Sequence, residues 1–333
     1  MRVGLFGAGG IGRVHAQAYA EIEGARLVAV ADIDRAAADK LAAQHGAQAY
    51  YDCQHLLGNA EIDMVDVCLP TYCHEWAVVA AAGAQKHVLC EKPMALDLAS
   101  AERMLAAVEG AGVRAMMAQV VRFTPQYVVI RDLLQRGELG RPLTAAATRL
   151  AGPPRWSSWF RDPQLSGGAV LDLHIHDLDF LFSLFGRPLR VYAVGQTSAY
   201  GAWDHVLTTL DFGQVKATAE ASFLMPAGYP FTATFRLLGE KGCAQFPFSV
   251  SGPVDPQAAA MSPDDVALYR PGEAPIPLPF VRRNPYLIEI EYFVRCLQRD
   301  EAPQVATFAE ARTVLQTALA AKASLESGQA VTL

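Results

Sequence analysis

The sequence has no apolar run that approaches the ~20 residues needed to cross a bilayer. It has no basic run, and its formal net charge is −6, which disfavours nucleic acid as a partner. The N-terminus leads directly into an apolar strand, without the basic and apolar regions of a signal peptide. These absences predict a cytoplasmic protein that binds neither membranes nor nucleic acid.

Paired cysteine spacing and internal repeats are also missing. The six cysteines stand singly at positions 53, 68, 73, 90, 243 and 296, with no C-x-x-C pair. Several lie in apolar strand contexts, where a reduced cysteine behaves as a small hydrophobic residue. The histidines are too dispersed for a metal site, and none is predicted. With 52% apolar and 19% charged residues, the 333-residue chain is expected to form a globular protein of two domains.

A glycine-rich turn near the N-terminus is the most informative feature that is present. An apolar strand over 2–7 runs into the pattern G-x-G-x-x-G, and a helix-periodic stretch over 11–22 follows. Gly7 permits a tight turn, Gly9 lets the backbone approach a pyrophosphate, and Gly12 lets the helix pack on the strand. The alternative is a glycine-rich turn in another kind of α/β protein. The predicted cofactor-binding residues of the turn are Gly7, Gly9, Gly10, Ile11 and Gly12.

Asp32 lies at the end of the next apolar strand, twenty residues after Gly12. A carboxylate there can accept both ribose hydroxyls of an adenosine and would repel a 2′-phosphate, so NAD is predicted rather than NADP. Arg35 keeps NADP open, because an arginine at that position could bind a phosphate. Asp32 could instead cap the following helix, although Asp34 is better placed for that task.

The order of elements predicts the fold class. In the first third, strands alternate with helices, which is typical of a doubly wound parallel sheet of the Rossmann kind. After about residue 121 most strands follow one another directly, which predicts a large, mostly antiparallel sheet and a helix near 169–185. The chain is therefore predicted to be α/β, with an NAD-binding Rossmann domain over 1–121 and an α/β substrate-binding and oligomerisation domain over 122–333.

Ionisable residues are unusually dense in one apolar segment, which has five of them in the eight positions from 172 to 179. On one continuous helix, Asp172 and His176 would share a face at i and i+4 and could form a hydrogen bond. Such a pair makes His176 a candidate general base or acid. A buried Asp–His pair that serves only helix packing is the alternative.

Lys92 follows the strand 87–90 and precedes Pro93. A lysine at the carboxyl end of a strand, beside a cofactor crevice, can donate a hydrogen bond to an oxygen on the reacting carbon. An ordinary surface lysine is the alternative. Together, the glycine-rich turn, Lys92 and the Asp172/His176 pair indicate alcohol oxidation by hydride transfer.

These motifs resemble those of the Gfo/Idh/MocA oxidoreductases, a family that includes glucose–fructose oxidoreductase and inositol dehydrogenase. The resemblance covers almost the whole chain. The motifs that carry it are Ile11-Gly12, Pro70-Thr71-x-x-His74, Glu91-Lys92-Pro93, Arg122-Phe123, Gly167-Gly168-x-x-x-Asp172-x-x-x-His176, Asp211-Phe212-Gly213 and Tyr286/Glu289/Phe293.

The resemblance implies a catalytic set of Lys92, Asp172 and His176, which would also bind the substrate. His176 would take the hydroxyl proton, Asp172 would hold His176 and a substrate hydroxyl, and Lys92 would position the substrate oxygen. It also implies that the C-terminal sheet forms homodimers or homotetramers. The residues implied near the nicotinamide and its ribose are Pro70, Thr71, His74, Glu91 and Lys92.

Substrate choice is predicted to depend on the loop 153–160, which contains Arg155 and two tryptophans. Aromatic rings stack on sugar faces, and Arg155 could bind hydroxyls or a carboxylate. An aromatic staple between domains is an equal alternative. The leading prediction is an NAD-dependent dehydrogenase of a sugar, inositol or related polyol. The alternatives are a redox-assisted glycoside hydrolase or lyase that retains NAD, and a non-catalytic dinucleotide-binding regulator, which would be expected to lack some of the catalytic set.

Overall fold

The structure is a computed structural model that describes residues 1–58, 61–154, 158–250 and 266–333. The chain forms two compact units. The first contains Met1–Gln119 and Tyr286–Arg312, and the second contains Val120–Pro285 and Thr313–Leu333. Within the described ranges, no helix has the length and apolar character of a membrane-spanning helix.

A parallel sheet forms the centre of the first unit, with strand order β3-β2-β1-β4-β5-β6. Every neighbouring pair is parallel, and all four residues of β4 are buried, which requires cover on both faces of the sheet. The predicted doubly wound parallel sheet is confirmed. Its strands are β1 (Arg2–Phe6), β2 (Arg26–Ala31), β3 (Gln48–Tyr50), β4 (Met64–Val67), β5 (His87–Glu91) and β6 (Ala115–Ala118).

The crossover helices begin and end at residues suited to helix termini. Asp34 caps α2 by accepting a hydrogen bond from the Ala37 backbone N–H at 3.2 Å, as predicted, and Asp97 caps α5 in the same way. Gly46 and Gly112 follow these helices in the left-handed conformation. The helices are α1 (Gly10–Glu21), α2 (Arg35–His45), α3 (Cys53–Leu57), α4 (His74–Gly83) and α5 (Leu98–Ala111).

Part of the first unit comes from near the C-terminus of the chain. The Met117 backbone N–H donates to the Ala306 carbonyl oxygen at 2.9 Å, and the Gln298 side chain donates to the Glu23 carbonyl oxygen at 3.4 Å. These contacts tie in Tyr286–Arg312, which includes most of α10 (Pro285–Gln298). The second compact unit therefore differs from the predicted domain 122–333, because long-range hydrogen bonds decide the grouping and a local pattern does not reveal them.

The second unit contains a sheet with strand order β14-β13-β12-β11-β7-β10-β9-β8-β15. Only the pair β7–β10 is parallel among its described strands, so the predicted mostly antiparallel sheet is confirmed. The strands are β7 (Pro142–Leu150), β8 (Arg190–Thr197), β9 (Trp203–Asp211), β10 (Lys216–Ser222), β11 (Phe231–Gly239), β12 (Gly242–Val250), β13 (Val266–Tyr269), β14 (Ile276–Leu278) and β15 (Val331–Thr332).

An aromatic cluster packs the helices of this unit against the sheet. The Tyr127 ring of α6 lies 4.7 Å from the Phe180 ring of α9 and 4.8 Å from the Phe246 ring of β12, between centroids. Edge-to-face packing of this kind fixes helix positions well. The described helices are α6 (Pro125–Gln135), α7 (Pro163–Ser166), α8 (Gly168–Asp172), α9 (Ile175–Phe185) and α11 (Phe308–Ser327).

Candidate active site

The turn between β1 and α1 has the space that a dinucleotide phosphate needs. A Cβ on Gly7, whose φ is +101°, would lie 2.4 Å from the Cys68 carbonyl oxygen. A Cβ on Gly12 would lie 2.0 Å from the Gly7 carbonyl oxygen, so only glycine permits this close packing of helix and strand. Around Gly9 and Gly10, no described atom lies within 4 Å of an added Cβ. This open rim at the start of α1 fits a pyrophosphate, which would meet the N–H groups of the first helical turn.

Asp32 is held beside this turn. Its Oδ2 accepts a hydrogen bond from the Ala8 backbone N–H at 2.7 Å, and its Oδ1 accepts one from the Asp34 backbone N–H at 2.8 Å. The carboxylate keeps further lone pairs for ribose hydroxyls. Arg35 packs over the Tyr51 ring, with 4.4 Å between the guanidinium carbon and the ring centroid. A 2′-phosphate would therefore have to recruit a guanidinium that already contacts an aromatic ring.

His74 links the segments that follow β4 and β5. The imidazole is 1% exposed, with Nδ1 2.8 Å from the Pro93 carbonyl oxygen and Nε2 2.9 Å from the Leu69 carbonyl oxygen. Burial lowers the pKa of His74, so the neutral ring donates to one carbonyl at a time. Thr71, in the turn after Pro70, is also buried. His74 thus connects two backbone segments, and its predicted place near the nicotinamide stays a prediction.

Glu91 and Lys92 stand at the end of β5. Glu91 Oε2 accepts a hydrogen bond from the Lys92 backbone N–H at 3.0 Å, and Glu91 Oε1 lies 3.2 Å from His15 Nε2. Glu91 is buried and Lys92 is half-buried. The Glu91 carboxylate therefore contacts both the helix that begins at the glycine-rich turn and the backbone of the predicted catalytic lysine.

Behind Glu91 lies a buried polar cluster that the sequence analysis missed. His15 Nδ1 lies 2.8 Å from Asp66 Oδ2, and the Tyr19 hydroxyl donates to the same oxygen at 2.9 Å. Cys68 Sγ lies 3.4 Å from His15 Nδ1. One signal was visible in the sequence: Asp66 interrupts the apolar strand 64–69, and a charge inside a strand covered on both faces requires a buried partner.

The helix predicted over 169–185 is interrupted, so the prediction of one continuous helix through Asp172 and His176 is wrong, and their hydrogen bond stays a prediction. α8 ends at Asp172, and the His174 backbone N–H donates to the Ala169 carbonyl oxygen at 2.7 Å, five residues back rather than four. Asp172 therefore ends one helix, and His176 lies in the first turn of the next. Both side chains are half-buried.

His174 lies at the interruption. Its side chain is 0% exposed, and its Nε2 lies 2.8 Å from the Thr208 hydroxyl oxygen of β9. Burial, with a further contribution from the Arg149 charge, lowers the pKa of His174 to about 3. This tertiary contact places a neutral imidazole in the core at the break between α8 and α9, and local periodicity does not reveal it.

Two further carboxylates of the segment are held in buried ion pairs. Asp177 accepts hydrogen bonds from Arg149 at 2.9 and 2.8 Å, and Asp179 accepts two from Arg122 at 2.7 and 2.6 Å. All four side chains are buried. Of the five ionisable residues from 172 to 179, three are buried in the core, and Asp172 and His176 are half-buried.

A cavity of about 430 Å³ in the second unit borders the start of α8. Asp204, one of its lining residues, accepts a hydrogen bond from the Ala169 backbone N–H at 3.1 Å. Burial raises the pKa of Asp204, and the nearby charge of Asp172 adds to the rise. The other lining residues are Pro153, Pro154, Phe160, Arg161, Ser166, Gly168, Ser198, Tyr200, Phe223 and Leu224. Arg155, predicted to bind substrate, lies outside the described residues.

Comparison with known proteins decides the family. A model described as an oxidoreductase family with an NAD-binding Rossmann fold matches residues 1–119, and the Gfo/Idh/MocA C-terminal domain model matches residues 127–245. Inositol 2-dehydrogenase of Rhizobium meliloti is 31% identical over 254 residues, which are 73% of this chain and 74% of the relative. The chain belongs to the Gfo/Idh/MocA family.

Two further relatives extend this result along the chain. Inositol 2-dehydrogenase of Rubrobacter xylanophilus is 28% identical over 341 residues, covering 98% of this chain and 91% of the relative. The crystal structure of aldose-aldose oxidoreductase from Caulobacter crescentus complexed with glycerol has the same fold, with a TM-score of 0.87, 23% identity, and coverage of 100% and 98% of the two chains. The predictions of a Gfo/Idh/MocA member and of an NAD-dependent dehydrogenase are confirmed.

The structure groups the predicted site residues within each unit. The first unit brings Asp32 to the glycine-rich turn formed by Gly7, Gly9, Gly10, Ile11 and Gly12. It also links the segment containing Pro70, Thr71 and His74 to the one containing Glu91 and Lys92. The second unit holds Asp172 and His176. The roles of these residues stay predictions.

Proposed function

We propose that this Gfo/Idh/MocA oxidoreductase oxidises a hydroxyl carbon of an inositol, a sugar or a related polyhydroxy compound with NAD. One observation carries the proposal. In the segment 172–179, three ionisable side chains are buried, while Asp172 and His176 are half-buried, and the Asp172 charge acts on Asp204 of the cavity. The inositol 2-dehydrogenases among the relatives support the substrate class.

In the proposed reaction, one proton and one hydride leave the substrate alcohol. When bound, NAD supplies the acceptor for the hydride from the hydroxyl carbon. His176 takes the hydroxyl proton as a general base, and Asp172 holds His176 and a second substrate hydroxyl. Lys92 donates a hydrogen bond to the substrate oxygen, which favours the developing carbonyl.

The cavity of the second unit is our candidate for substrate selection. Its volume of about 430 Å³ lies within the range of roughly 300–1,000 Å³ common for small-molecule pockets. Phe160 and Tyr200 supply rings that can stack on a sugar face, and the Arg161 guanidinium carbon lies 5.8 Å from the Tyr200 ring centroid. Asp204 can accept hydrogen bonds from hydroxyls. This composition favours a neutral polyhydroxy ring.

NADH absorbance with purified protein, NAD and a panel of inositols, aldoses and sugar acids tests the proposal. We expect a signal with at least one polyol, and its loss in the His176→Ala variant. Calorimetric titration with NAD provides the control for an active cofactor domain. NAD binding without net NADH formation on any polyol would contradict the proposal and favour the hydrolase or lyase that retains its cofactor.

A further inference from the structure

The buried polar cluster of the first unit, defined as His15, Tyr19, Asp66, Cys68 and Glu91, spans three elements. Its histidine and tyrosine come from α1, its aspartate from β4, and its glutamate from the end of β5. α1 begins at the glycine-rich turn, and the glutamate precedes the predicted catalytic lysine. The cluster therefore joins the phosphate-facing helix to the strand end that carries Lys92.

His15 lies between two carboxylates within this cluster. Its Nδ1 lies 2.8 Å from Asp66 Oδ2, and its Nε2 lies 3.2 Å from Glu91 Oε1. The second contact has an ion-pair distance and is not a hydrogen bond. His15 and Asp66 are 0% exposed and Glu91 is 6% exposed, so these contacts act without competition from bulk water.

The charges in the cluster complement one another. Burial by itself lowers the pKa of His15, but the charge of Asp66, with contributions from Cys68, raises it well above its usual value. Burial and the Asp66 charge raise the pKa of Tyr19, so its hydroxyl stays a neutral donor to Asp66. An imidazolium anchored on one side by Asp66 thus attracts the Glu91 carboxylate on the other.

A metal ion is the competing interpretation, because ligand atoms of His15, Asp66 and Cys68 lie within 4.8 Å of one another. Two ligands of a tetrahedral zinc ion, each at ~2.0–2.2 Å, would be roughly 3.4 Å apart. The 2.8 Å between His15 Nδ1 and Asp66 Oδ2 is instead a hydrogen-bond length. These two groups already satisfy each other.

We propose that His15 is a positioning residue that holds Glu91 and, through the contact of Glu91 with the Lys92 backbone N–H, fixes the strand end from which Lys92 acts. The proposal rests on the proposed function, since it takes Lys92 to be the group that contacts the substrate. Asp66 and Tyr19 orient His15. His15 in turn holds the Glu91 carboxylate, which accepts a hydrogen bond from the Lys92 backbone N–H.

Two amide variants separate the contacts of His15. In His15→Asn the amide nitrogen can take the place of Nδ1 and keep the Asp66 contact, while the Glu91 contact is lost. In His15→Gln the longer amide can take the place of Nε2 and keep Glu91, while the Asp66 contact is lost. If His15 has a purely structural role, the chemical reactivity of the Lys92 amine should change in proportion to the loss of thermal stability in each variant. If His15 is a positioning residue, the reactivity of Lys92 should change more in His15→Asn than in His15→Gln.

The measurement is the labelling rate of Lys92 with an acetylating reagent at about pH 8, resolved by peptide mass spectrometry. Exposed Lys40 of α2 serves as the internal reference in the same sample. Without the His15 charge and contact, the Glu91 carboxylate can pair with the Lys92 ammonium, and a paired ammonium reacts more slowly with the reagent. We expect the Lys92 to Lys40 rate ratio to fall at least about threefold in His15→Asn and less in His15→Gln.

A Glu91→Gln background provides the second test. Because His15 is proposed to act through Glu91, adding His15→Asn to Glu91→Gln should leave the ratio unchanged. If His15→Asn lowers the Lys92 to Lys40 rate ratio in the Glu91→Gln background as much as it does in the wild type, the proposal is overturned. An unchanged ratio in both single variants, or a larger fall in His15→Gln than in His15→Asn, would do the same.

The labelling readout needs no substrate, so it stands apart from the proposed function. If the wild type oxidises a polyol, His15→Asn should lower kcat about 10- to 100-fold and leave the Kd of NAD nearly unchanged. A parallel loss of NAD affinity would overturn the positioning role. If no polyol is oxidised but the labelling ratio shifts as expected, the proposed function fails while the coupling of His15 to Lys92 stands.

Discussion

Asp172 and Asp177 lie five positions apart, and the structure gives their identical carboxylates different surroundings. Asp177 is buried and accepts two hydrogen bonds from Arg149. Asp172 is half-buried at the end of α8, and its charge acts on Asp204 of the cavity. Because a buried charge requires a partner of opposite charge, Asp177 contributes to the fold, whereas Asp172 can interact with a ligand.

The predicted catalytic side chains lead to a first test at this scale. Lys92→Ala and His176→Ala should lower kcat by about 10²- to 10⁴-fold, because a positioned donor or base is lost. The Kd of NAD, measured by calorimetry, should stay nearly unchanged. Lys86→Ala, which alters a half-buried lysine before β5, is the matched control and should retain activity. Loss of NAD affinity in step with kcat would show that these groups bind cofactor instead.

His174 makes stability depend on pH. Its native pKa of about 3 lies below its unfolded value of about 6.5, so the unfolded state binds a proton that the native state excludes between these values. The free energy of unfolding should therefore be fully retained above about pH 6.5 and fall by about 1.4 kcal/mol per pH unit below it.

Urea unfolding of the wild type and of His174→Gln isolates this contribution from that of the carboxylates. Between about pH 6 and pH 5, the unfolding free energy of the variant should fall less steeply with pH than that of the wild type, because the His174 contribution is missing. Above about pH 7.5 the two proteins should have the same dependence on pH. If the two plots of unfolding free energy against pH are parallel over the whole range, the native imidazole is protonated.

At the scale of elements, the strand–turn–helix unit around Gly7 combines two kinds of glycine. An added Cβ on Gly12 would lie 2.0 Å from a backbone oxygen, whereas one on Gly10 would have no described atom within 4 Å. The first glycine is required by packing of α1 on β1. The second leaves room for a ligand.

Two alanine substitutions distinguish these requirements. Gly12→Ala should lower the free energy of unfolding by about 1–3 kcal/mol and also weaken the binding of NAD, because α1 must move away from β1. Gly10→Ala should change the free energy of unfolding by less than about 1 kcal/mol but raise the Kd of NAD about tenfold, because its methyl group enters the phosphate site. Thermal unfolding and NAD titration of both variants provide the comparison. Unchanged NAD affinity in Gly10→Ala would place the pyrophosphate elsewhere.

At the scale of the whole molecule, one face of the sheet in the second unit exposes apolar side chains. Tyr192, Val194 and Leu207 are 42%, 47% and 45% exposed, and Val194 pairs with Leu207 across β8 and β9. Buried and exposed residues alternate along β8 and β9, so the opposite face is covered. Membership of the Gfo/Idh/MocA family favours a second copy of the chain as the partner of this exposed face.

We therefore expect a homodimer or homotetramer assembled through this sheet. Light scattering coupled to size exclusion should give two or four times the mass of one chain. Val194→Lys/Leu207→Lys should shift the mass to a smaller species, because charge is buried in the interface. Val281→Lys, at a site 77% exposed outside the sheet, should not change the mass. A monomeric wild type would contradict the expectation.

Some of this organisation follows from spacing along the chain. The glycines, Asp32 and the residues after β4 and β5 could be predicted because a turn, a strand end and a helix start are local features. The alternation of strands and helices predicted the parallel sheet, and strands in direct succession predicted the antiparallel one.

The tertiary structure decided which ionisable side chains reach the surface and which lie in the core. His15 meets Asp66 across 51 positions, and His174 meets Thr208 across 34, so no local pattern identifies either pair. The same holds for the break between α8 and α9 and for the contacts that tie Tyr286–Arg312 to the first unit. The physical reason is that a buried polar group needs a partner, and only the folded chain determines which distant residue supplies it.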